Sequence, residues 1–266
     1  MRMDYETYNL ERVGENGHIL IVMMDRPEVR NAKNTKMGLE QIEIFEGLYR
    51  DAEDIRAVIY TGRGDKAFCA GDDLKERNGM TNHEWQVQHR IFEQGVMAMR
   101  SCPVPVIGAV NGAAYGGGCE TALTCDFVYA ASHAKFALTE VTLGIMPGAM
   151  GTINLPNAVG ERRAKEIVMT GLPFTAQQAC DWGLVNKVCE PEKLLEETIA
   201  TAERIASNAP LSIRAAKRST SIATQVDRMS GYQFELQAYN RLVGTDDRME
   251  GVLAFNEKRK AQFKGS

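Results

Sequence analysis

Two carboxylates stand out among the 35 acidic residues by the company they keep. Glu120 directly follows Gly116-Gly117-Gly118-Cys119, and Glu140 closes Phe136-Ala137-Leu138-Thr139 ahead of Gly144 and Gly148. Both are embedded in apolar or small-residue sequence, whereas most acids of the chain have the polar neighbours of a solvated face. Burial raises a carboxyl pKa, which makes proton transfer near neutrality feasible. The glycines supply a complement. Nine of the 24 fall between Gly108 and Gly160, and the run at 116–118 separates a strand-like segment from a helical pattern beginning near Cys119. Such a turn exposes backbone N–H groups at a helix N-terminus, where the dipole favours negative charge. Without a Cβ in the way, those donors can hold a developing oxyanion. A tight turn chosen only for packing would read the same way. A second turn, Phe68-Cys69-Ala70-Gly71-Asp72-Asp73-Leu74, also follows a strand and precedes a helix, so two donors could converge.

Other chemistries lack their signatures. The chain has no GxxxxGK[ST], GxGxxG or GxSxG sequence, which leaves a phosphate loop, a dinucleotide fold and a nucleophile elbow unsupported. His18, His83, His89 and His133 form no HxxxH pair; His83 and His89 suit a solvated helix face, and no metal site is expected. Cys69, Cys102, Cys119, Cys125, Cys180 and Cys189 form no CxxC pair and read as reduced core thiols. Proton transfer must therefore rest on carboxylates.

The elements that position these residues follow from periodicity. Residues 18–24 and 55–61 are short apolar runs that read as strands, closed by Arg26-Pro27 and Gly62-Arg63-Gly64-Asp65. Leu39, Ile42, Phe45 and Leu48 recur at helical spacing within 35–50. A polar helix over 82–101 precedes a buried strand over 104–110. This alternation implies parallel strands with crossover helices. From Pro191 onward only helical patterns occur, at 191–208, 211–224, 226–243 and 246–260; in the third, Val226, Met229, Leu236 and Tyr239 can share a face.

The 266 residues carry a net charge of −4, with 44% hydrophobic and 25% charged residues, an ordinary soluble composition. An acidic balance without a long basic run argues against nucleic acid as a partner. No stretch approaches the ~18 apolar residues of a membrane span, and the first residues lack an apolar signal core, so a cytoplasmic location is expected.

Several ordered motifs carry a family likeness. Asn111-Gly112 followed by Gly116-Gly117-Gly118-Cys119-Glu120, and Glu140 followed by Gly144-Ile145 and Pro147-Gly148, closely resemble the enoyl-CoA hydratase (crotonase) family. Arg26-Pro27 with Arg30-Asn31-Ala32, the Phe68–Leu74 turn, Gly171 through Leu184, and Phe255 with Lys258-Arg259-Lys260 extend the resemblance almost end to end. It implies an α/β fold: a crotonase (ClpP-like) spiral of ββα units over 1–190 with the acyl-CoA site, then a C-terminal all-helical trimerisation region, 191–266. A homotrimer or a hexamer built as a dimer of trimers is implied. Coenzyme A enters as part of the substrate, with no separate cofactor.

By motif, the resemblance makes Glu120 and Glu140 catalytic and gives the oxyanion hole to the N–H groups of Asp72 and Gly117. It suggests CoA or substrate contacts at Val29, Arg30, Ala70, Asp73, Leu74, Lys75 and Gly148, with Phe255 and Lys258 reaching from a neighbouring subunit. Lys258-Arg259-Lys260 reads equally as a solvated helix end complementing the dipole. Isomerases of the family commonly keep only the later glutamate, so two favour hydration of a short or modified 2-enoyl-CoA. A methylthioacryloyl-CoA hydratase with thioester hydrolysis, a Δ3-Δ2 enoyl-CoA isomerase, and a non-catalytic CoA- or RNA-binding member are the alternatives. Three departures bear on specificity. Asp72 stands where hydratases commonly have a small residue, Met150 where glycine is usual, and Ile153-Asn154 where Gln-Arg is common. The Asp72 carboxylate must point away from the oxyanion or help fit a particular substrate, and the changes at Met150 and Ile153-Asn154 are expected to alter the acyl pocket.

Overall fold

In the computed structural model, which describes residues 3–266, the strands from β3 to β8 alternate between two sheets. The chain begins with β1 (Tyr8–Val13), β2 (Ile19–Met24), α1 (Thr35–Arg50), β3 (Ala57–Gly62), β4 (Ala67–Cys69), the single-turn α2 (Leu74–Arg77) and α3 (Asn82–Arg100). Next come β5 (Val106–Val110), β6 (Ala113–Tyr115), α4 (Gly117–Thr124), β7 (Phe127–Ala131), β8 (Lys135–Ala137), and a 3-10 turn over Glu140–Leu143. Then α5 (Gly151–Val159), α6 (Glu161–Thr170), β9 (Phe174–Thr175), α7 (Ala176–Asp181) and β10 (Lys187–Cys189) complete the α/β part. The rest is helical: α8 (Leu194–Ala206), α9 (Pro210–Ala223), α10 (Arg228–Val243) and α11 (Asp246–Asn256).

The larger sheet has the order β1-β2-β3-β5-β7-β10 and the smaller β4-β6-β8-β9. Pairs β3/β4, β5/β6 and β7/β8 each place one strand in the large sheet and the next in the small one, then pass into helix. That is the expected spiral of ββα units. The central strands pair in parallel and are buried on both faces, which is why β2, β3 and β5 read as unbroken apolar runs.

Local chemistry sets several boundaries. Asn34 caps α1, its side chain accepting the Met37 N–H at 2.9 Å. Thr81 and Glu84 form a reciprocal capping box at the start of α3. Helix α3 is less polar in effect than its composition suggests: Gln88, Phe92, Gly95, Val96 and Met99 form a buried face. Strands β6, β8, β9 and β10 span two or three residues, too short for any periodicity to declare them.

In the helical part, α8 packs on the large sheet through Leu194, Thr198, Ala202 and Ala206. Arg56 ties this region down by donating to the carbonyls of Ala206 and Phe263, at 2.9 and 2.8 Å. Helices α9 and α10 bury no residue completely, and of the expected common face Val226, Met229 and Tyr239 are exposed while Leu236 is half-buried. Among the described residues no helix is long and apolar enough to cross a membrane. All six cysteines are free thiols, four of them buried.

Candidate active site

A cavity of about 550 Å³ opens between α3, the N-terminus of α4 and the segment before α5. Glu120, Glu140, Asp72, Gly117 and Gly148 all line it, brought together from three separate sequence motifs.

Glu120 lies in the first turn of α4 and is 4% exposed. Its Oε1 accepts two backbone N–H groups, from Ala149 at 2.8 Å and Gly151 at 3.0 Å. Those amides belong to the N-terminus of α5, where the helix dipole favours an anion. Burial raises the Glu120 pKa, while the Ala149 and Gly151 amides and the Lys33 charge restrain the rise. Met150, between the two amides, holds a left-handed φ of 68° as the residue before α5. A glycine would adopt that backbone without strain, and methionine does not. Its side chain is not part of the cavity wall, and neither are those of Ile153 and Asn154. Ile153 is exposed, and Asn154 accepts from Arg100.

Glu140 opens the 3-10 turn after β8 and is 8% exposed. Neither of its oxygens has a hydrogen-bond partner among the described residues. Burial, followed by the charges of Glu120 and Asp72, pushes its pKa up to about 7. The two carboxyl groups thus share a cavity and feel each other's charge, but only one has built-in donors.

The two glycine turns abut. A Cβ placed on Gly71 would lie 3.7 Å from the Gly117 nitrogen, and one placed on Gly118 would lie 2.1 Å from the Cys69 carbonyl. Helix α4 starts at Gly117, two residues before the expected point, because this glycine run presses against the end of β4. Neither Asp72 nor Gly117 donates its N–H in the turn and loop bonds of the described residues.

The Asp72 carboxylate does not turn away from the cavity. Its Oδ2 pairs with Arg77 at 2.9 Å, and its Oδ1 would lie 2.8 Å from a Cβ on Gly117. Arg77 is buried, donates through Nε to Gln88 at 2.7 Å and stacks on Trp85 at 4.2 Å. Lys33, 2% exposed, completes this wall beside Phe92. Sequence reasoning missed Lys33 and Arg77, because a lone cation in a short motif carries no sign of burial. It also misplaced His89, which lines the cavity against Gly148 and pairs with Glu93 at 3.1 Å; His83 is exposed as expected.

The remaining expected contacts fall outside the cavity wall. Val29 and Arg30 run beside the second turn, where the Arg30 carbonyl accepts the Ala70 N–H at 3.0 Å. Ala70, Leu74 and Lys75 are exposed there. The Asp73 carboxylate caps α2 through the Lys75 N–H and pairs with Arg26 at 3.1 Å. Phe255, 83% exposed, and Lys258 lie at the end of α11. Among the described residues no three His, Cys, Asp or Glu side chains cluster as a metal site would require.

This arrangement suits proton transfer beside an oxygen that gains charge, and comparisons with known proteins bear on the chain's family. A family model described as enoyl-CoA hydratase/isomerase matches residues 14–266. The chain is 38% identical to a crotonyl-CoA hydratase of Syntrophomonas wolfei, over 98% of this chain and 99% of that one. It is 37% identical to a mitochondrial enoyl-CoA hydratase of Pongo abelii, over 98% of this chain and 89% of the relative. A solved enoyl-CoA hydratase from Bacillus anthracis superposes with a TM-score of 0.95 at 41% identity, over 98% of this chain and all of that one.

Proposed function

The chain belongs to the enoyl-CoA hydratase/isomerase family and is an enoyl-CoA hydratase, and on that footing we propose that Glu120 and Glu140 add water across the C2=C3 bond of a short or modified 2-enoyl thioester. The observation that carries this reading is the asymmetry of the two buried carboxyls. Glu120 has two amide donors that favour its ionised form, and Glu140 has none. Glu120 is then the base and Glu140 the acid.

Water held between them loses a proton to Glu120 as its oxygen bonds to C3. The C=C electron pair moves toward the thioester oxygen, and C2 takes the proton of Glu140. A proton passing from Glu120 to Glu140 restores both groups. Negative charge grows on the thioester oxygen, and the free N–H groups of Asp72 and Gly117 are the donors we assign to it. Their support is the abutment of the two turns. Fixed amides need no reorganisation as charge develops, which is why a preformed turn outperforms water there.

Arg30, Lys75 and Lys258 are the cations we assign to the CoA phosphates. The exposed apolar residues of α10 and α11 are the surface we assign to contact between subunits. The decisive assay follows loss of enoyl-thioester absorbance with free thiol measured in parallel. Hydration without thiol release is expected. Thiol release would mean thioester hydrolysis, and a shifted double bond without water uptake would mean isomerisation; either outcome overturns the reading.

A further inference from the structure

The cavity wall holds two buried cations but only one carboxylate committed to them. Lys33 and Asp72 are bridge partners across the backbone, so both side chains leave the chain at the same place. Asp72 nevertheless pairs with Arg77, at 2.9 Å, and Arg77 gains further support from Gln88 and Trp85. Lys33 is left with the Thr121 hydroxyl at 3.0 Å and the face of Phe92 at 5.7 Å. Among the described residues no carboxylate lies within 4.0 Å of its Nζ. An ammonium has three donors, and one is used. The Glu120 carboxyl feels the Lys33 charge without touching it, so the ammonium's unfilled donors are the anomaly, because buried polar groups are nearly always hydrogen-bonded. Here that ammonium lines the same cavity as Glu120 and Glu140.

We propose that Lys33 recognises a carboxylate at the far end of the acyl group, so that the substrates are 2-enoyl-CoA thioesters of dicarboxylic acids. This rests on the hydratase reading of the same site. A neutral acyl chain would press methyl groups against an underbonded ammonium. A carboxylate would fill its open donors with charge-assisted hydrogen bonds, the stronger kind.

The test is calorimetric binding of glutaryl-CoA and valeryl-CoA to the full-length protein. These two saturated thioesters have five-carbon acyl groups that end in a carboxylate and a methyl, and neither can be hydrated. The wild type should bind glutaryl-CoA tighter by about tenfold or more, the span of a hydrogen bond to a charged group. Lys33→Met should erase that ratio, and Lys33→Arg should retain most of it. A wild-type ratio near one, or a preference that survives Lys33→Met, overturns the proposal. The ratio is measured within one protein, so the wild type decides even if a variant fails to fold. Hydration of pent-2-enoyl-CoA and of its carboxylate-ended counterpart, glutaconyl-CoA, is measured separately. Turnover of either without a glutaryl preference sinks only the acyl-group proposal, and a glutaryl preference with turnover of neither sinks only the hydratase reading.

Discussion

The Oε1 of Glu120 accepts the Gly151 N–H at 3.0 Å, and a Cβ on Gly151 would stand 2.7 Å from that same oxygen. The position of the proposed base and the absence of a side chain at 151 are one constraint. That Cβ would also meet the Pro147 Cβ at 2.9 Å, so relief comes from moving the Glu120 side chain and the loop at Pro147, and not from unfolding α5. Gly151→Ala should therefore lower kcat by about tenfold or more, in line with the sensitivity of positioned groups, while shifting Tm by only a few degrees. Parallel kinetics and thermal melts check this; a large drop in Tm with kcat preserved would contradict it.

Removing either carboxyl should be severe. Glu120→Gln and Glu140→Gln should each lower kcat by roughly 10²–10⁴-fold, the usual worth of a general acid or base. The double variant should fall well short of the product of the two losses, since groups acting on one water work as a unit. Steady-state hydration rates for the three variants test it.

The Glu140 carboxyl, pushed up to about 7 by burial, must be protonated to serve as the acid. kcat/KM should then decline as pH rises through about 7, and the decline should be absent from the residual activity of Glu140→Gln. Stability follows the same titration. Between its ordinary value of 4.5 and about 7 the unfolded chain ionises at this position while the folded one stays protonated. Folding stability is thus lost as pH rises across that window, and the penalty is complete above it. Glu140→Gln should gain Tm relative to wild type on going from about pH 5 to about pH 8. A constant difference would place the carboxyl at an ordinary pKa.

Asp72 has a structural duty separate from its N–H. Asp72→Ala would leave Arg77 buried without its carboxylate, at a cost of about 2–3 kcal/mol, the low end for breaking a buried pair because Asp72 is partly exposed. Adding Arg77→Met should recover part of that loss. Denaturant unfolding of the single and double variants gives the coupling, and purely additive losses would show that the pair contributes nothing.

Helices α10 and α11 leave Met229, Tyr239, Val252 and Phe255 at least half exposed in the single chain. Apolar surface on that scale marks an interaction face. Light scattering should give three times the 29.4 kDa chain mass or a multiple of that trimer, and Tyr239→Glu should shift the population toward single chains. A monodisperse monomer for the wild type would remove the assigned role of these helices.

The sequence by itself determined the strand–helix alternation, the two glycine turns and the pair of glutamates among small residues. These are local properties: periodicity, Cβ-free turns and apolar neighbours act within a few residues of chain. Even the limits of α1 were legible, since Asn34 and its capped amide lie three residues apart. The tertiary structure alone decided how the two glutamates differ. The amides of Ala149 and Gly151 reach Glu120 across 29 and 31 residues of sequence, and nothing comparable reaches Glu140. It also decided that Asp72 faces the cavity, that Met150 does not, and that Lys33 is buried beside α4. A side chain's charge state and specificity depend on solvent exclusion and on partners from distant segments. Those are fixed only when the sheets and helices close on one another.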